Sequence, residues 1–141
     1  MILPDVNVLL YAFRRDAERH DDYRSWLENV VNGEAAYGIS PQVLASVIRI
    51  GTHPRIYVRP STTPEALAFC DAILRPPPCI VVQPGDRHWG IFTDLCRKSR
   101  ATGNSVQDAW LAALAIESGS EWVTTDRDYG RFPNLRWRKP F

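Results

Sequence analysis

The chain has 141 residues, 45% of them apolar and 23% charged, with 17 Lys and Arg against 16 Asp and Glu for a net charge of +1. A chain of this length buries roughly two-thirds of its unfolded surface, so a single domain over residues 1–141 builds a core without disulfide or metal staples. The balanced charge excludes a global footprint for nucleic acid and leaves only local basic clusters; the longest apolar run, residues 109–116, is far short of the roughly 20 residues of a membrane span.

Residues 2–6 are short and apolar and read as a strand, and residues 8–13 as an apolar helix, so Asp5 falls at a strand-to-helix junction. That position interrupts any secretory h-region, and no basic n-region precedes it. From residue 20 to 32, Tyr23, Trp26, Leu27, Val30 and Val31 recur at helical spacing, with Gly33 as a stop. Residues 35–39 predict a strand. Ser40-Pro41 and Thr63-Pro64 are helix starts, the first carrying Val43, Leu44, Val47 and Ile48 inward and the second ending before the prolines at 76–78. A buried strand is expected over 79–82 and a helix around Trp89, Phe92, Leu95 and Cys96. Residues 101–104 read as a loop, 106–118 as a helix stopped by Gly119, and 122–125 and 135–138 as strands.

Strands alternating with helices predict an α/β fold with a mostly parallel central sheet covered on both faces, a three-layer α/β/α sandwich. Ligands of such sheets bind beyond the carboxyl ends of the strands. Asp5 and Asp126 occupy such ends, Asp128 follows two residues on, and Asp108 sits in the first turn of a helix. Parallel strands bring these distant residues to one edge. Clustered carboxylates disfavour one another's ionisation unless a cation neutralises them. An all-oxygen set without Cys or His favours Mg2+ or Mn2+, ions that activate water and stabilise the leaving oxygen of a phosphodiester.

Each aspartate has a plainer reading beside this one. Ser105-x-x-Asp108 has the spacing of a capping box, and residues 125–130 are turn-rich, where Asp bonds its own backbone. Asp5 is harder to explain so, because a charge among Leu3, Val6, Val8, Leu9 and Leu10 is buried with no local partner in view. His20, His53 and His88 lack zinc spacing, and no Walker or G-x-G-x-x-G sequence occurs. A dehalogenase-type phosphatase would need Asp where Asn7 stands. The three cysteines, Cys70, Cys79 and Cys96, read as reduced, buried thiols of a cytoplasmic protein. Trp26, Trp89 and Trp110 are expected in the core and Trp137 at an edge. The basic clusters Arg97, Lys98, Arg100 and Arg136, Arg138, Lys139 read first as helix-end dipole partners and second as phosphate contacts.

These motifs together resemble the PIN-domain nucleases, and within them the VapC toxins of VapBC toxin–antitoxin pairs. Residues 5–11, Asp-Val-Asn-Val-Leu-Leu-Tyr, resemble the opening motif; residues 108–115, Asp-Ala-Trp-Leu-Ala-Ala-Leu-Ala, the helix with a further acidic ligand; residues 124–129, Thr-Thr-Asp-Arg-Asp-Tyr, the closing T-x-D-x-D/N-F/Y motif. The resemblance runs through essentially the whole chain. It implies a Mg2+- or Mn2+-dependent ribonuclease in which Asp5, Asp108 and Asp126 are metal ligands, Asp128 an assisting or water-mediated ligand, and Asn7 and Thr124 orienting residues. It further implies a homodimer silenced by a cognate VapB antitoxin inserted near the acidic cleft, with structured RNA such as transfer RNA as the substrate. One position departs from the pattern: many relatives carry Glu where this chain has Ser46, and residues 35–64 contain no Asp or Glu at all. That departure leaves the number of metals open and keeps a second reading, a PIN-like module that binds RNA or protein without cleaving.

Overall fold

The computed structural model describes residues 1–141. Five strands, β1 Ile2–Pro4, β2 Tyr37–Ile39, β3 Cys79–Val81, β4 Glu121–Val123 and β5 Trp137–Arg138, form one sheet in the order β3-β2-β1-β4-β5, and every neighbouring pair is parallel. Six helices connect them: α1 Val6–Phe13, α2 His20–Val31, α3 Pro41–Gly51, α4 Thr63–Leu74, α5 His88–Ser99 and α6 Asn104–Glu117. From β1 the chain steps outward to β2 and β3, then crosses back to β4. Right-handed crossovers therefore put α1–α4 on one face and α5 and α6 on the other. The packing agrees, with α1 against α2 and α3, α3 against α4, and α5 against α6.

Both faces of the central strands are covered, so Leu3, Tyr37, Ile39 and Trp122 are almost wholly buried. From the first face Leu9, Val43 and Val47 meet them; from the second comes the run 111–115 of α6, whose alanines let the helix axis approach the sheet. Gly119 ends α6 in the left-handed conformation, φ +66°, that glycine adopts without strain.

The structure amends several sequence expectations. The strand over 79–82 is at the sheet edge, and Ile80 and Val81 are exposed rather than buried, because nothing covers the outer side of β3. Trp89 faces solvent, 69% exposed, its ring tilted at 53° to that of Phe92 with centroids 5.5 Å apart. Helix α4 is capped by Thr62, whose hydroxyl accepts from Glu65 N, one residue before the expected cap. Helix α6 starts at Asn104, and Ser105 bonds back to Thr102 rather than capping toward Asp108. A 3-10 helix, Arg127–Arg131, occupies what reads as a plain turn. Cys70 alone of the three free thiols is fully buried. No helix is long and apolar enough to cross a membrane.

Candidate active site

Strand β1 ends at Pro4, and Asp5 is the N-cap of α1: its Oδ1 accepts from Val6 N at 2.7 Å. Its other oxygen accepts a 2.6 Å hydrogen bond from the Thr124 hydroxyl, just past the end of β4. The register pairing Pro4 with Val123 sets these residues side by side. The buried partner of Asp5 is thus 119 residues away, which is why no local sequence signal reveals it.

Thr124 is fully buried and uses its whole hydrogen-bonding capacity. It donates to Asp5, accepts from Asp126 N at 3.0 Å, and accepts a longer 3.4 Å bond from Asn7 Nδ2. One hydroxyl thereby ties β4, α1 and the turn carrying Asp126 together. Asp126 caps the 3-10 helix, its Oδ1 accepting from Asp128 N at 2.8 Å. Asp108, on the first turns of α6, is half-buried and receives a long 3.4 Å bond from the Tyr129 hydroxyl. Tyr129 is itself buried against Trp122 and Phe132. Its ring fits the motif position of an aromatic, but no sequence signal marks its hydroxyl as a partner of Asp108.

The electrostatics join these residues into one site. Burial pushes the Asp5 carboxyl up to about 6; the bonds from Thr124 and Val6 pull it down, and the charges of Asp108 and Asp126 push it up again. Asp108 is raised by burial and then by Asp126, with Arg131 opposing. Tyr129 is held far above its ordinary range by burial and the charges of Asp5 and Asp108. Asp128 is more solvent-exposed, its Oδ2 3.3 Å from Arg131 Nη2. Asp5, Asp108 and Asp126 act on one another's charge, yet no three acidic side chains are gathered closely enough to clasp an ion as they stand. Mutual repulsion favours such a spread arrangement.

The donor set nevertheless fits a hard cation. It is all oxygen, carboxylate-rich, and contains a buried acceptor, Asn7 Oδ1, with no hydrogen-bond partner. A cation or its hydration water meets both demands, offsetting the carboxylate charge and satisfying that orphaned oxygen. Ser46, on α3, is half-buried and brings no charge to the site. The basic clusters behave as their positions suggest: Arg97 and Lys98 lie in the last turn of α5 with Lys98 paired to Asp94, Arg136 donates to Gly119 O, and Arg138 pairs with Glu121.

A three-layer parallel α/β domain with carboxylates from three separate segments at its carboxyl edge defines a class, and the family model for the PIN domain matches residues 2–135. Ribonuclease VapC43 of Mycobacterium tuberculosis is 41% identical over 140 residues, covering 99% of this chain and 95% of that one. Ribonuclease VapC31 of the same species is 36% identical, with 99% of both chains covered. The chain belongs to the VapC family of PIN-domain proteins. The fold is shared with the crystal structure of VapBC2 from Rickettsia felis bound to a DNA fragment from their promoter, at a TM-score of 0.73 and 21% identity over 99% of this chain and 98% of that one.

Proposed function

We propose that this chain is the toxin of a type II toxin–antitoxin pair, a metal-dependent endoribonuclease that hydrolyses RNA phosphodiester bonds. The observation that carries the reading is the buried Asp5 carboxylate, clamped by Thr124 and within the field of Asp108 and Asp126. Family membership supplies the reaction class, since the relatives above are named ribonucleases.

Asp5, Asp108 and Asp126 would hold Mg2+ or Mn2+, with Asp128 assisting through water. When bound, the ion lowers the pKa of water and offsets charge on the scissile phosphate. The chain's own residues prepare that chemistry. Thr124 fixes the Asp5 carboxylate in one orientation, and the backbone bonds of Asp126 fix its side chain beside the 3-10 helix. Asn7, whose Nδ2 donates to Thr124, carries a buried oxygen with no partner, and Tyr129 steadies Asp108. The whole of residues 1–141 acts as one PIN domain, and the family's organisation gives a homodimer, silenced by a cognate VapB antitoxin, in the cytoplasm. Transfer RNA is the first substrate to try.

The test is cleavage of total and transfer RNA by the purified chain with Mg2+, Mn2+ or EDTA, beside the Asp5→Asn protein. Discrete metal-dependent cuts, absent from the variant, are expected; equal cleavage by both proteins defeats the assignment. Ser46 favours one competing reading, because it leaves α3 without the carboxylate that the family resemblance implies there. Retained RNA or partner binding with no cleavage under any metal would make the chain a binding module.

A further inference from the structure

A cavity of about 770 Å³ lies not at the carboxylates but at the far end of α1, where Arg14, Arg15, Arg24 and Arg59 face Asp16 and Glu65. We infer that this arginine-lined cavity is a subsite for the phosphate backbone of RNA, holding the strand whose scissile bond lies at Asp5. The inference rests on the ribonuclease reading and deepens it.

The cavity is held open by a buried cation with no charge to spare. Arg14 is 7% exposed, and its Nε and Nη2 grip both oxygens of Asp16 at 3.0 and 2.6 Å. Its Nη1 donates to Arg59 O at 3.0 Å and Ser61 Oγ at 2.9 Å, and its guanidinium lies 3.8 Å from the centre of the Tyr57 ring. Arg14 therefore fixes the segment between α3 and α4 against the end of α1. That contact brings Arg59 into the same cavity as Arg15. Both side chains are exposed and neither has an ion-pair partner, whereas Arg24 is paired with Glu28. Two exposed, unpaired guanidinium groups in a concave site are suited to phosphate oxygens; Glu65 is the one unpaired acid opposing them.

Position points to RNA rather than to an acidic peptide. Asp5 and Arg14 cap opposite ends of α1, an 8-residue helix of roughly 12 Å. The cavity is on the same side of the molecule as the carboxylates. Strand β5 is in register with β4, Thr124 N bonding Arg138 O, so residues 139–141 continue past the carboxyl edge that carries Asp5. Phe141 there meets Tyr23 at 4.9 Å, and Arg19 lies 4.5 Å over its ring, which places the start of α2 and the turn bearing Arg15 at that edge. The two sites thus share one edge about a helix length apart, and an elongated polyanion is the ligand that gains from both.

The experiment measures binding of a fluorescein-labelled oligouridylate in EDTA, where no cleavage intervenes, across a salt series for wild type, Arg15→Ala/Arg59→Ala and Arg15→Lys/Arg59→Lys. Loss of two phosphate contacts weakens binding at low salt by about fivefold or more, and flattens the log–log salt slope by about 1.4. The lysine pair retains most of the slope. Wild-type affinity and slope in the alanine pair overturn the subsite, as does restoration of neither by lysine. Binding of labelled poly-glutamate that is lost in the alanine pair while RNA binding is unchanged assigns the cavity to an acidic peptide and also overturns the subsite. Failure of the ribonuclease reading is a separate result, absence of metal-dependent cutting by the wild type, which this metal-free assay does not touch.

Discussion

Removing the charge at Asp5 should stabilise the metal-free protein, and by an amount that depends on pH. The Asp5 carboxyl is moved from its ordinary 3.8 to about 6, chiefly by burial. An acid whose folded pKa is raised binds its proton more tightly in the folded state, so its contribution is fully present below pH 3.8 and is lost as pH rises through 6. Above that, ionised Asp5 destabilises the fold by about 3 kcal/mol. Asp5→Asn removes this penalty but offers one acceptor where the carboxylate offered two. Either Val6 N or the Thr124 hydroxyl, whose acceptor sites are already filled, loses a partner, at about 1 kcal/mol. The net expectation at pH 8 is a gain of about 2 kcal/mol, a rise in Tm of roughly 6–10 °C for a domain of this size. The gain shrinks to well under about 1 kcal/mol at pH 5, where the wild type has recovered about half its penalty. Urea unfolding in EDTA, followed by tryptophan fluorescence at pH 5, 6.5 and 8, measures the difference. A variant less stable than wild type at pH 8, or a difference that does not change with pH, refutes the reasoning.

Thr124→Val keeps the shape of the buried side chain but strips Asp5 and Asp126 N of their partner; a loss of about 2–3 kcal/mol is expected in urea unfolding, with Mn2+ affinity by calorimetry falling at least about tenfold. Tyr129→Phe removes only a long bond to Asp108 and should change stability by less than about 1 kcal/mol, whereas Tyr129→Ala empties a buried aromatic site and costs about 3–5 kcal/mol. Equal losses in the two would show that the hydroxyl, not the ring, is what matters. Ser46→Glu supplies the carboxylate missing from α3 and should tighten Mn2+ binding by calorimetry; unchanged affinity means that position 46 does not face the site.

Much of this protein is legible in the chain alone. Helical spacing, proline at helix starts and Gly119 as a stop are local, so α1–α4 and α6 emerge close to their bounds, and alternation of strands with helices dictates the parallel sheet. Parallel strands in turn put Asp5 and Asp126 on one edge. Burial was less readable wherever it depends on what lies outside an element. Apolar β3 reads as interior, yet its outer side is bare, and Trp89 falls at a core-like helical spacing but finds no layer above α5.

What only the tertiary structure decided is which polar groups meet. Ser105-x-x-Asp108 has the spacing of a cap, but the helix begins earlier, and Asp108 is left facing Tyr129 and the other carboxylates. The Thr124 hydroxyl bonded to Asp5, and Arg14 binding Asp16, Arg59 and Ser61, are likewise beyond any local pattern. The reason is physical: backbone conformation and hydrophobic period are set within a few residues, whereas a buried charge is settled by partners that chain crossovers bring from the far end of the sequence.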